Sequence, residues 1–184
     1  MNGRRDLADE TARRLFERRT VMLTGPLEGE ASSLAAASLM ALDAEGDEPV
    51  TLLVNSPGGP VEAGVAVVDV LDLLGVPVEA TVIGQAGGTA AVVVACATPG
   101  RRRAAPNARL SLRLAGGALE GPAGRLEQEA AALVAARDRL VDRLVAATGR
   151  SRDELAEATD RGPVLSAEEA VAYGLVDEVA ARRA

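Results

Sequence analysis

Val50-Thr51-Leu52-Leu53-Val54-Asn55-Ser56-Pro57-Gly58-Gly59-Pro60-Val61 is the stretch on which the reading of the fold turns. Its first five residues are almost wholly apolar, the pattern of a strand covered on both faces. Pro57-Gly58-Gly59 turns the chain, and Pro60 brings the fixed φ that suits the first position of a helix. Beyond it Val61, Val65, Val68, Leu71 and Leu74 line one side while Glu62, Asp69 and Asp72 line another, predicting an amphipathic helix stopped by Gly75-Val76-Pro77. The same grammar then repeats. Val78 to Ile83 predicts a strand, Gly84-Gln85-Ala86-Gly87-Gly88 a glycine turn, and Gly88 or Thr89 opens a second, nearly all-apolar helix to Ala97. Strand, glycine turn and helix, twice over, predict a parallel sheet wrapped by right-handed crossovers.

Working outward, Arg5 to Arg18 carries Leu7, Ala8, Ala12, Leu15 and Phe16 at helical spacing, and Thr20 to Leu23 reads as a strand. Ala31 to Ala44 repeats apolar residues at Leu34, Ala37, Leu39 and Leu42 and ends at Gly46-Asp47-Glu48-Pro49. Leu110, Leu112 and Leu114 alternate with Arg109, Ser111 and Arg113, a strand with one buried face. A long helix follows from about Ala123 to Ala147, its apolar side built from Leu126, Ala130, Leu133, the stem of Arg137, Leu140, Leu144 and Val145, with Gly149 as the residue that caps it. Ser151 with Glu154, and Ser166 with Glu169, have the spacing of capping boxes.

Composition sets bounds. With 184 residues the chain is large enough for a real core and short for two domains, so one domain is expected over 1–184. There is no histidine, and the basic residues are all arginine. A net charge of −7 argues against a general nucleic-acid binder, whose affinity rests on phosphate contacts. No signal-like segment and no apolar run of membrane-spanning length is apparent, so a soluble, cytoplasmic protein without membrane partners is expected. The lone Cys96, inside the apolar run 90–97, reads as a buried, inert thiol. Arg101-Arg102-Arg103, between Pro99-Gly100 and Ala104-Ala105-Pro106, reads as a solvated turn in preference to an anion site. No metal or cofactor is expected.

Asn55-Ser56-Pro57-Gly58-Gly59, Ala63-Gly64, Gly84-Gln85-Ala86, Pro106-Asn107-Ala108-Arg109, Thr148-Gly149 and Leu165-Ser166-Ala167-Glu168-Glu169-Ala170-Val171-Ala172-Tyr173-Gly174-Leu175-Val176-Asp177 together resemble the proteolytic subunit of the Clp protease family, a family of serine peptidases. The order and spacing agree from about Thr20 to Val179. The resemblance implies an α/β Clp protease/crotonase-like fold of repeated β-β-α units with a protruding helical handle over about 115–147, after an N-terminal helix over about 5–18. It also implies assembly into rings, a heptamer in this family, by self-association or with an active Clp paralogue, as part of ATP-dependent proteolysis.

Carried over residue by residue, the resemblance puts Gly88 where the family has its serine nucleophile, Arg113 where it has its histidine and Gly162 where it has its aspartate. A guanidinium stays protonated in proteins and offers only donors, so Arg113 is no base. A serine or threonine hydroxyl needs a proton acceptor beside it, and neither imidazole nor lysine amine exists in this chain. The expectation is a pseudoprotease that keeps the scaffold. The amides of Gly59 and Thr89 would stand as oxyanion-type donors, and Asp160-Arg161 matches a pair that in the family contacts the facing ring, or else is a solvated surface pair. Thr51 and Leu53 stand where the family has tyrosines of its ATPase-docking pocket, and the axial-loop residues before the first helix are missing; both weigh against an AAA+ unfoldase as partner. Pro122 falls in the strand before the handle helix, where it removes a ladder donor. Arg113 facing the emptied pocket would hold an anion such as a peptide carboxylate, or pair with a nearby Asp or Glu. The alternative function is a crotonase-like enzyme polarising an acyl-CoA thioester with the Gly59 and Thr89 amides.

Overall fold

A computed structural model describes residues 2–114 and 123–181. The order of elements is α1 (Asn2–Phe16), β1 (Thr20–Thr24), α2 (Gly29–Glu45), β2 (Val50–Ser56), α3 (Val61–Leu73), β3 (Val78–Gly87), α4 (Thr89–Ala95), β4 (Arg102–Ala104), β5 (Arg109–Ser111), α5 (Ala123–Thr148), α6 (Arg152–Arg161), β6 (Val164–Ser166), α7 (Ala167–Tyr173) and β7 (Glu178–Val179). The result is a mixed α/β fold on a mostly parallel sheet, ordered β1-β2-β3-β4-β7, with β5 on β3 and β6 antiparallel on β5. The expected strand preceding α5, including Pro122, lies outside the described residues.

Alternation along β2 explains its place at the centre. Val50, Leu52 and Val54 are fully buried, with Thr51 and Leu53 half-buried on the other face. β3 is longer than its sequence suggests because it changes partners along its length. Val54 pairs with Val82 but Ser56 pairs with Ala86, so β3 carries two more residues than β2 between these points, a bulge around Gly84. Before the bulge β3 pairs with β4, and after it with β5. This bend brings the end of β3 and the start of α4 against the β2–α3 turn.

Helix packing differs from the hydrophobic reading in an instructive way. The buried positions of α2 are Ser32, Ala35, Leu39 and Leu42, leaving Leu34 exposed at 68%. Those of α3 are Val61, Ala63, Gly64, Val67 and Val68. In both helices small residues face the core, and they let the axes approach. Gly64 shows this directly: a Cβ there would overlap the side chain of Thr89 on α4. In α5 the fully buried residues are Ala136, Leu140, Val141 and Leu144, all in its second half. The capping box closes at Ser166–Glu169 but only half forms at Ser151, whose hydroxyl accepts from the Glu154 amide while the Glu154 carboxylate pairs with Arg150. Cys96 is largely shielded, and burial pushes its thiol up to about 11, which keeps it protonated and unreactive near neutrality.

The arginine triplet corrects the expectation of a solvated turn. Arg102 begins β4 and is only 6% exposed. Its Nε and Nη2 donate to the Asp177 carboxylate at 3.0 and 2.5 Å, and its Nη1 donates to the carbonyls of Ala95, Ala147 and Gly174 at 3.1, 3.2 and 3.3 Å. Those carbonyls end α4, α5 and α7, so one guanidinium sits at the negative ends of three helices. Arg101 and Arg103 point the other way, to Glu79 and Glu178.

The Arg102 guanidinium holds the Asp177 carboxyl below its ordinary value. The folded chain therefore binds that proton less readily than the unfolded chain. The stabilisation is complete above the ordinary carboxylate range and is lost as pH falls through the lowered value. Removing the guanidinium leaves three carbonyls without that donor and Asp177 with the Arg102 amide at 2.8 Å but no charged partner. Arg102→Met is expected to lower stability by about 3 kcal/mol in urea unfolding at pH 7, with a smaller loss at pH 3; an unchanged midpoint would remove Arg102 from its place as a structural hub.

Candidate active site, and how it is closed

The two glycine turns predicted from sequence meet face to face. A Cβ on Gly58 would overlap the carbonyl of Gly87, and a Cβ on Gly87 would overlap the carbonyl of Pro57. Only glycine at both positions permits this approach. The turn is fixed from within by Ser56, which is fully buried and whose Oγ accepts from the Gly58 amide at 3.0 Å, and from outside by the Leu27 amide donating to the Gly58 carbonyl at 3.0 Å.

Thr89 joins the turns a second time. Its side chain is fully buried, and its Oγ1 accepts from the Gly59 amide at 2.9 Å and donates to the Gly59 carbonyl at 3.3 Å. Both hydrogen-bonding roles of the hydroxyl are thus taken. The amide of Gly59, one of the two expected oxyanion-type donors, is bonded within the protein. The sequence reading placed Gly59 and Thr89 near one another but did not see this bond; the only available sign was that threonine is small and polar enough to span the gap that Gly64 opens.

Gly88 stands between β3 and α4 with φ +48 and ψ −120, a backbone conformation that side-chain-bearing residues rarely adopt. Its amide donates to the Ser111 carbonyl at 2.7 Å. A Cβ built on Gly88 would lie 2.8 Å from the Arg113 carbonyl oxygen. The position therefore has neither a side chain nor room for one while the chain after β5 stays where it is.

Gly162, the C-cap of α6, is closed in the same manner. A Cβ there would lie 2.5 Å from the Ala158 carbonyl oxygen. Arg113 reaches across to it, its Nη2 donating to the Gly162 carbonyl at 3.3 Å. The expected pairing of Arg113 with an Asp or Glu is not what holds it: among the described residues its partner is a helix-terminal carbonyl. The Leu114 amide donates to the Thr159 carbonyl at 2.9 Å, tying this segment to α6. The three positions Gly88, Arg113 and Gly162 are thus brought together, as the sequence order implied.

Around them lies a cleft of about 510 Å³ lined by Pro57, Gly58, Gly59, Gly88, Arg113, Leu114, Arg137 and Asp160. Arg137, from α5, donates to Thr159 Oγ1 at 3.2 Å and stands 3.9 Å from the Asp160 carboxylate. Sequence reading treated Arg137 as the stem of an apolar stripe and missed its place on the cleft. Asp160 is 63% exposed, and Arg161 stands 3.7 Å from Glu157 one turn back, so both remain on the surface of this chain.

A mostly parallel sheet with paired glycine turns at the carboxyl ends of β2 and β3 is consistent with the Clp protease fold. A family model described as Clp protease matches residues 3–183, and the chain belongs to the Clp protease family. No described helix is long and apolar enough to cross a membrane.

Placing a hydroxyl at Gly88, the position the resemblance aligns with the family's serine, is expected to fail. Gly88→Ser forces a Cβ into left-handed backbone and against the Arg113 carbonyl, and should lower Tm by roughly 5 °C in a thermal melt. The variant should also remain unlabelled by a fluorophosphonate probe. A labelled, fully stable variant would show that the site is open after all.

Proposed function

We propose that this chain is a noncatalytic proteolytic-subunit-like member of the Clp protease family, which forms or joins a ring-shaped protease chamber without cutting peptides itself. The observation that carries the reading is at Gly88: no side chain is present, and the Arg113 carbonyl stands 2.8 Å from where one would begin. Three further features support it. The chain has no histidine. The Thr89 hydroxyl spends both its hydrogen bonds on Gly59, so no activated nucleophile stands in for the missing one. The position opposite is a guanidinium, which takes no proton.

What supports retained architecture is packing. A buried Arg102–Asp177 pair, a closed capping box at Ser166 and mutually interlocked turns are maintained in a chain that lacks the chemistry they once framed. An apolar groove of about 810 Å³ runs between α1, β1 and α2, with Leu7, Met22 and Leu34 exposed along it, which suits self-association or association with an active paralogue. In this reading the chain is one domain with a handle over about 115–147, and Asp160-Arg161 contacts the facing ring. The half-buried Thr51 and Leu53 in place of tyrosines weigh against direct docking of an unfoldase on this subunit. The acyl-CoA reading loses its main support, because the Gly59 amide it requires is bonded to Thr89.

Native mass spectrometry of the purified chain, alone and co-expressed with an active Clp subunit, is expected to show a ring in at least one case, with no turnover of fluorogenic peptide by the chain alone. A strictly monomeric species in both, or turnover by the purified chain, would defeat the proposal. Acyl-CoA is expected to leave the melting temperature unchanged; a concentration-dependent rise would favour the alternative.

A further inference from the structure

The cleft left by the absent triad is not neutral. Arg113 and Arg137 both line it and Asp160 is the one carboxylate among the residues that do, an excess of one positive charge in a chain whose net charge is −7. The backbone donors of the turn face inward: the Gly59 amide is bonded to Thr89 and the Gly88 amide to Ser111. The side-chain donors that line the cleft are those of the two guanidiniums.

A guanidinium has five N–H donors in a planar fork. Arg113 uses one of them, on the Gly162 carbonyl, and no carboxylate among the described residues lies within ion-pair distance of it. That single bond anchors the side chain from behind and leaves the rest of the fork facing open volume. Arg137 is anchored likewise, to buried Thr159, with Asp160 at 3.9 Å drawing off part of its charge. A planar monoanion matches two such forks and an excess of one charge, since paired N–H donors align with the two oxygens of a carboxylate. A dianion would meet Asp160 with charge uncompensated. Beside the arginines, Pro57, the glycine turn and Leu114 give an uncharged wall, and about 510 Å³ is the size of a site for a small ligand.

We infer that this cleft binds the free C-terminal carboxylate of a short peptide, with Arg113 and Arg137 as its donors and Asp160 setting its preference for a single negative charge. The inference rests on the noncatalytic reading, because a bound peptide must survive in the site. It assigns the subunit a task a mere spacer lacks: holding peptide ends, the chemical form in which any neighbouring peptidase releases its products.

The test uses the full chain and an N-terminally fluorophore-labelled Ala-Ala-Leu peptide, as the free acid and as the C-terminal amide, followed by fluorescence anisotropy. The acid is expected to bind at least about tenfold more tightly than the amide, the range a charge-assisted pair supplies, and to weaken as salt rises. Arg113→Gln should abolish the preference. Asp160→Asn should tighten the acid several-fold, a gain that a folding defect does not produce. Equal affinity for acid and amide, no tightening in Asp160→Asn, or inorganic phosphate displacing the peptide as well as acetate does, would each overturn the inference. Mass spectrometry of the recovered peptide separates the two claims: cleaved peptide defeats the noncatalytic reading, whereas intact peptide bound without regard to its terminus defeats the carboxylate site alone.

Discussion

Backbone lies directly on backbone where Pro57-Gly58-Gly59 meets Gly87-Gly88, and the rest of the site depends on that contact. The turns approach so closely that neither Gly58 nor Gly87 has room for a Cβ, and Thr89, just beyond, bonds its hydroxyl into the gap. Moving the turns apart would undo the α3–α4 packing at Gly64 and the bulged end of β3 together. In a working serine peptidase such a contact aims two amides at the place where an oxyanion develops, an arrangement worth about 10²–10³ in rate for each donor. Here the Gly59 amide is aimed at the protein's own threonine. That bond ties the two turns together within the fold.

Under the noncatalytic reading proposed above, missing chemistry and close packing go together at these positions. A nucleophile position with left-handed φ is costly for any residue but glycine, and an enzyme tolerates that cost because the strained turn exposes a hydroxyl. With glycine at 88 the strain goes, and the Arg113 carbonyl occupies the space above it. At Gly162 a Cβ would meet the Ala158 carbonyl, and the guanidinium of Arg113 donates to the Gly162 carbonyl. A side chain at either position alone would meet a neighbouring carbonyl.

How much of this was readable beforehand depends on the range over which each signal acts. The strand–turn–helix units, the cap at Ser166 and the glycine turns are local patterns, and the sequence carries them plainly. The hub at Arg102 is not local: its partners Ala95, Ala147, and Gly174 with Asp177 come from three different parts of the chain, so a run of three arginines reads as a solvated turn. The buried faces of α2 and α3 are legible only in part: Leu39, Leu42, Val61 and Val68 are buried as expected, whereas Leu34 and Ala37 are exposed. Hydrophobic periodicity counts large side chains, and these helices pack on Ser32, Ala35 and Gly64, where smallness is what the contact requires. The bond between Thr89 and Gly59 joins residues thirty apart and depends on the angle between two turns, which no spacing rule records.

The most direct measurement of the central claim is the intact mass of the purified chain after prolonged exposure to an acylating β-lactone. The account predicts a single species of unmodified mass, since Thr89 is buried and doubly bonded and the chain has neither imidazole nor lysine amine to activate a hydroxyl. An adduct that maps to Thr89, or to any other side chain of the molecule, would contradict it.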